Sequence, residues 1–158
     1  MKNLLVISIR PEYMKLILAG EKSIELRKCK PSLPKDDILV ALYCTAPVKA
    51  VVGFCLLDEL IEDSPSSLWG RFSELVGVDK KTYQDYYNNN SKAVGLKLDS
   101  VYQLEKELSL DKIREEVPNF APPQTYKYYN LNFLIKRFKE SLLDEYHNLV
   151  SVYNSREL

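Results

Sequence analysis

The chain has 158 residues, of which 46% are hydrophobic and 28% are charged. This composition is typical of a globular domain with a hydrophobic core and excludes disordered, collagen-like and coiled-coil proteins. Lys plus Arg and Asp plus Glu both number 22, so the formal net charge is zero and any binding site for a polyanion must be a local patch.

The predicted elements of the first half follow from short apolar runs punctuated by Pro and Gly. β-Branched runs predict buried strands, and a Pro followed by helically spaced apolar residues and a Gly predicts a short helix. In chain order, these elements are a strand over Leu4–Ile9, a helix from Pro11 to Gly20, a strand over Ser23–Arg27, and a hairpin of Ile38–Cys44 and Ala50–Leu57 joined by Thr45–Val48.

The second half contains three residues suited to cap a helix, Ser64, Asp79 and Ser109. The predicted elements are a helix from Ser64 to Gly77, a helix from Asp79 to Asn88, a strand over Val94–Leu104, a helix from Ser109 to Val117, an extended segment Phe120–Gln124 and a long amphipathic helix over Leu131–Leu149. Short strands interrupted irregularly by helices predict an α+β fold with a curled mixed sheet, a small barrel decorated by helices.

Cofactor and compartment signals are few. Cys29, Cys44 and Cys55 are odd in number and His147 is the only histidine, so neither a disulfide framework nor a metal site is expected, and no cofactor motif is present. No run approaches the ~18 apolar residues of a membrane span, and the first residues lack the pattern of a signal peptide. We therefore expect a cytoplasmic protein that binds no membrane and no metal.

Charged residues alternate with apolar ones in the segment from Gly20 to Arg27. On a strand, Glu25 and Arg27 share one face at a spacing of ~6.6–6.8 Å, opposite Ile24 and Leu26. Lys22 lies in the preceding turn, from which it can swing to that face. A solvated strand face carrying exposed ion pairs, worth only ~0–1 kcal/mol each, would show the same pattern.

Several segments together resemble the ASCH domain family, named for activating-signal cointegrator homology. The resemblance rests on Ser8–Tyr13, Gly20–Arg27, Tyr43–Val48, Val52-Gly53 and Pro122–Tyr126. It implies a PUA-like β-barrel over residues 1–129 that binds RNA or modified nucleosides. Residues 130–158 lie outside the resemblance, and we expect them to form a helical extension packed on the same domain. In this comparison Lys22, Glu25 and Arg27 occupy the positions of the family's Gly-x-Lys-x-x-[Glu/Thr]-x-Arg motif, which lines a cleft.

The first of three hypotheses is a module that binds RNA or a nucleotide and regulates RNA metabolism or transcription. Arg offers a planar fork to phosphate or to a base edge, Lys a point charge and Tyr a stacking surface for unpaired bases. The candidate nucleic-acid-binding residues are Ser8, Arg10, Lys22, Arg27, Tyr43, Gln124 and Tyr126.

The second hypothesis is an enzyme in which Lys22 and Glu25 are catalytic. It would be an amidohydrolase on an N-acylated cytidine, as the resemblance implies for some family members, or a metal-independent ribonuclease. In those amidohydrolases a threonine proposed as the nucleophile stands at the position of Glu25, so this sequence departs from them at the reacting group.

The third hypothesis is a protein-interaction module that uses the helix predicted to begin at Leu131. Its stripe of apolar side chains, with Phe133 and Phe138 beside it, requires cover, either from the domain itself or from a second copy in a homodimer.

Overall fold

A computed structural model describes residues 3–32 and 39–130 of the chain. These residues form six strands and four helices. In chain order they are β1 (Asn3–Ile9), α1 (Pro11–Leu18), β2 (Ile24–Arg27), β3 (Leu39–Cys44), β4 (Ala50–Asp63), α2 (Pro65–Phe72), α3 (Lys80–Tyr86), β5 (Ala93–Ser109), α4 (Leu110–Glu116) and β6 (Tyr126–Asn130).

The six strands form one mixed sheet in the order β2-β5-β4-β3-β1-β6. β1 runs parallel to β3, and the remaining neighbours are antiparallel. The α+β class is confirmed, but the predicted closed barrel is wrong for the residues described, because β2 and β6 remain the two edges of the sheet. Among the described residues, no backbone ladder joins β2 to β6, the pairing that would close the sheet into a barrel.

Both faces of the sheet are covered. In β1 the even-numbered Leu4 and Val6 face a core cluster that includes Ile113 of α4, whereas Leu5 and Ile7 face a cluster completed by α1. This division follows from the alternation of side chains along a strand. A third cluster packs β2 against α2 and α3, and it positions the segment singled out by the sequence.

The helix starts agree with the predicted capping residues. The side-chain oxygens of Ser64, Asp79 and Ser109 each accept a hydrogen bond from the backbone N–H three residues later, as N-cap residues do. Helix α1 begins at Pro11 and is followed by Gly20 with φ +78°. The predicted short helices are therefore confirmed, although α2 ends at Phe72 instead of extending to Gly77.

Three differences concern strand length and pairing. β4 continues six residues beyond the predicted Leu57, and β5 runs on to Ser109, because the two strands pair along most of their length from Ala50–Ser109 to Asp63–Ala93. β6 was not predicted. The helix predicted from Leu131, and with it the helical extension and the homodimer, lies outside the described residues.

No helix in the described part of the chain is both long enough and apolar enough to cross a membrane.

Candidate functional site

A cavity of about 380 Å³ opens where the end of β1, α1, β2 and α3 meet the segment before β6. We call it the Glu25 cavity. It is lined by Ser8, Ile9, Arg10, Tyr13, Lys22, Glu25, Leu26, Arg27, Thr45, Val78, Thr82, Tyr83, Tyr86, Gln124 and Thr125.

Lys22 is buried at this cavity, with only 3% of its surface exposed. Its Nζ donates to the carbonyl oxygens of Ile24 at 2.8 Å and Val76 at 2.5 Å, and lies 3.6 Å from Oε2 of Glu25. Burial lowers the pKa of the Lys22 amine, and the Glu25 carboxylate opposes that shift. Two of the three ammonium protons therefore have carbonyl acceptors, and Glu25 faces the group as an ion-pair partner beyond hydrogen-bond distance.

Glu25 and Arg27 form a second ion pair on the same face of β2. Nη1 of Arg27 donates to Oε1 of Glu25 and, at 2.9 Å, to the carbonyl oxygen of Leu26, while Nη2 donates to the carbonyl oxygen of Ser8 at 3.0 Å. Among the described residues, Oε2 of Glu25 and Nε of Arg27 have no hydrogen-bond partner. The guanidinium is held in place by its hydrogen bonds to Glu25, Leu26 and Ser8.

The start of β2 is fixed by the connection between α2 and α3. The N–H groups of Ser23 and Ile24 both lie 3.0 Å from the carbonyl oxygen of Leu75. Ile24 then packs into the third cluster, so strand alternation turns Glu25 and Arg27 towards the cavity.

Positive charge predominates around the cavity. Arg10, Lys22 and Arg27 line it, against the single carboxylate of Glu25. This local excess occurs in a chain whose formal net charge is zero. A cleft with an excess of one sign of charge attracts ligands of the opposite sign. Within the described part of the chain, no group of three or more His, Cys, Asp and Glu residues could hold a metal ion.

Two tyrosines add aromatic surface. Nζ of Lys22 lies 5.5 Å from the ring centroid of Tyr13, and Nζ of Lys28 lies 4.9 Å from that of Tyr86. Tyr86 is 38% exposed, whereas the next tyrosine, Tyr87, is buried and its hydroxyl donates to the carbonyl oxygen of Arg27 at 2.9 Å. Tyr83 and Tyr87 are therefore packing residues of α3, whereas the more exposed ring of Tyr86 is available at the cavity.

The structure brings six of the eight predicted site residues together at the cavity: Ser8, Arg10, Lys22, Glu25, Arg27 and Gln124. Tyr43 does not line it, because its side chain packs in the core cluster beneath α4. Tyr126 does not line it either, and its hydroxyl donates to the carbonyl oxygen of Lys30 at 3.3 Å. Sequence reasoning missed Tyr86 as a lining residue, because nothing local in the sequence places this face of α3 beside β2.

The ASCH domain profile matches residues 7–118. This chain belongs to the ASCH domain family. The matched range of the ASCH domain includes Lys22, Glu25, Arg27 and Tyr86 and stops before Gln124.

Relatives from Zymomonas mobilis share this ASCH domain. A protein named as an ASCH domain-containing ribonuclease is 34% identical over 120 residues, which are 76% of this chain and 80% of the relative. The crystal structure of ASCH from Zymomonas mobilis has a TM-score of 0.79 at 30% identity, covering 87% of this chain and 94% of that chain. The crystal structure of a tyrosine-to-phenylalanine variant of ZmASCH from Zymomonas mobilis has the same TM-score at 29% identity, covering 87% of this chain and 97% of that chain.

Proposed function

We propose that this ASCH domain binds single-stranded RNA by taking one phosphate-bearing nucleotide into the Glu25 cavity. The observation that carries the proposal is the local charge: three cations face one carboxylate in a chain of zero net charge. The volume of about 380 Å³ lies near the lower end of the ~300–1,000 Å³ range of small-ligand sites. That size suits one unpaired nucleotide better than a duplex.

Arg10 and Tyr86 are the residues best placed to meet the ligand. Arg10 is exposed at the start of α1, so its guanidinium is available to a phosphate group. Most of the N–H donors of Lys22 and Arg27, by contrast, already form hydrogen bonds to protein acceptors. The exposed ring of Tyr86 offers a stacking surface for a base, and base stacking on an aromatic side chain contributes roughly 1–3 kcal/mol.

Fluorescence anisotropy with a labelled single-stranded RNA tests the proposal. We expect Arg10→Gln to weaken binding about tenfold, since hydrogen bonds to charged groups contribute ~1.5–3 kcal/mol. The matched control is Arg71→Gln, because Arg71 is exposed, pairs with Asp63 and does not line the cavity. Equal affinities for both variants, or equal binding of a duplex of the same sequence, would contradict the proposal.

A second candidate is cleavage of the bound RNA, which the name of the Zymomonas mobilis relative favours. In this reaction the ribose 2′ oxygen attacks the adjacent phosphorus, its proton passes to Glu25, the P–O5′ bond breaks and the leaving oxygen takes a proton from solvent. The Lys22 ammonium, 3.6 Å from Oε2 of Glu25, adds positive charge near the reacting groups.

Incubation with single-stranded RNA separates binding from cleavage. Glu25→Gln removes the proton acceptor but preserves side-chain shape. If the domain is a ribonuclease, this variant loses cleavage by about a hundredfold or more while it still binds RNA. Intact RNA after incubation with the wild type would leave the domain as a binding module.

A further inference from the structure

We infer that Gly77 is a positioning residue for the Glu25 cavity, since its lack of a side chain allows Lys22 to lie where it does. The inference rests on the proposed function only for its consequence in RNA binding. The contact between the two residues is a property of the fold. Gly77 lies in the connection between α2 and α3, 55 residues after Lys22 in the sequence.

The side chain of Lys22 passes directly over Gly77. A Cβ atom added at Gly77 would lie 2.8 Å from Cβ of Lys22 and 2.9 Å from both its Cγ and its Cδ. These separations are too short for non-bonded carbon atoms, which pack best at about 3.5–4.0 Å. Any residue other than glycine therefore pushes the aliphatic stem of Lys22 away from its present path.

The two residues before Gly77 hold the rest of the same segment. Leu75 accepts hydrogen bonds from the backbone at Ser23 and Ile24, and the carbonyl oxygen of Val76 accepts from Nζ of Lys22. Leu75 thus fixes the backbone next to Lys22, Val76 binds its ammonium group, and Gly77 leaves room for its aliphatic stem. Displacing the stem would break the bond to Val76 and change the separation of Nζ from Glu25.

Lys22 is one of the two cationic partners of the Glu25 carboxylate. Displacing the Lys22 ammonium would weaken one of the two ion pairs of a buried carboxylate and change the balance of charge in the cavity. We therefore expect a substitution at Gly77 to change the ligand site without touching a ligand.

The chain contains a matched control in Gly20. Both glycines have positive φ, +65° at Gly77 and +78° at Gly20, so an alanine at either position has a similar backbone cost. A Cβ at Gly20 would have nothing within 4 Å. Only the variant at position 77 adds a collision with Lys22.

The experiment compares the wild type, Gly77→Ala and Gly20→Ala by two measurements. The first is an NMR titration of the lysine side-chain signals, with Lys22 assigned from Lys22→Met, and the second is affinity for single-stranded RNA. We expect the pKa of Lys22 to move in Gly77→Ala and to stay at the wild-type value in Gly20→Ala. RNA affinity should fall about tenfold in Gly77→Ala only.

The outcomes separate the inference from the proposed function. An unchanged Lys22 signal in Gly77→Ala, or the same change in both variants, overturns the positioning role. A changed Lys22 signal with no RNA binding by the wild type supports the positioning role and overturns the proposed function.

A second comparison applies if Gly77→Ala does not fold. Lys22→Gly removes the three atoms nearest to the new Cβ, so adding Gly77→Ala to Lys22→Gly should lower the thermal midpoint about as much as Gly20→Ala lowers it in the wild type. A double variant that also fails to fold, while Lys22→Gly folds, would contradict the inference.

Discussion

Nη2 of Arg27 donates to the carbonyl oxygen of Ser8 at 3.0 Å, although β2 and β1 are the first and fifth strands of the sheet. The sheet therefore curls far enough for its first strand to reach the end of β1, but a side chain instead of a backbone ladder makes the connection. The Glu25 cavity lies at this connection, so the charged residues that line it also hold the curled sheet together.

Arg27→Gln should destabilise the domain by about 3 kcal/mol, since it removes one of two cations from a buried carboxylate and frees the acceptor at Ser8. Urea unfolding measures the change. Arg71→Gln serves as the comparison, with an expected loss under about 0.5 kcal/mol because its pair with Asp63 is exposed. Similar losses in both variants would mean that Arg27 is no more important than a surface arginine.

The face of β2 could be predicted from the sequence because it follows from local alternation. Ile24 fits a core, so Glu25 must share the opposite side with Arg27. The burial of Lys22 could not be derived in this way. Its position depends on the carbonyl oxygen of Val76, 54 residues away, and on a glycine beside it.

Pairings between distant segments explain where the predictions from sequence were wrong or incomplete. Tyr43 is aligned with Ser8 across the parallel strands, but its side chain packs in the core cluster beneath α4. Closure of the barrel and the existence of β6 both depend on which segment lies beside β1, and β1 pairs with β6 on that side. Local periodicity contains no information about such partners.

Arg10 and Lys22 should differ in how they affect the salt dependence of RNA binding. Each phosphate contact to single-stranded RNA contributes about 0.7 to the slope of log affinity against log salt. We expect Arg10→Gln to reduce the slope by about 0.7 and Lys22→Met to leave it unchanged, because the Lys22 side chain is buried and its ammonium group already donates to two backbone carbonyl oxygens. A reduced slope in Lys22→Met would show that its ammonium reaches a phosphate.

Lys22 should give the wild type a stability advantage that grows with pH. Its pKa in the folded state lies below the ordinary value of 10.5 because burial disfavours the charged form. Between these two pKa values the unfolded chain binds more protons, so unfolding becomes less favourable as pH rises. The difference in unfolding free energy between the wild type and Lys22→Met, measured from pH 7 up to the ordinary pKa of 10.5, should therefore move in favour of the wild type. A constant difference would contradict the lowered pKa.

Buried tyrosines should make the domain sensitive to strong alkali. Burial raises the pKa of Tyr83 to about 12, above the ordinary value of 10. Above pH 10 the unfolded chain loses this proton first, so stability falls as pH rises towards 12. Tyr83→Phe should lose about 1 kcal/mol at pH 7 with the bond to Pro65 and then show a shallower alkaline decline. Parallel pH profiles for the variant and the wild type would contradict this assignment.

Hydrolysis of N-acylated cytidine should be slow or absent. The carboxylate of Glu25 pairs with Lys22 and Arg27, and it stands where the amidohydrolases that the sequence resembles have a threonine. Release of cytidine, followed by chromatography, measures the activity. Efficient turnover that is lost in both Lys22→Ala and Glu25→Ala would make Glu25 the working group, whereas a gain of activity in Glu25→Thr would identify the missing hydroxyl as the cause.

Ser8 makes a different connection with each of its polar groups. Its N–H donates to Thr125 at 3.1 Å, its hydroxyl donates to Pro123 at 2.5 Å, and its carbonyl oxygen accepts from Arg27. The amide proton of Ser8 is therefore a native reporter that needs no label. Whenever the segment before β6 separates from β1, this proton is exposed to solvent. The rate of its exchange with deuterium therefore reports how often that wall of the cavity opens.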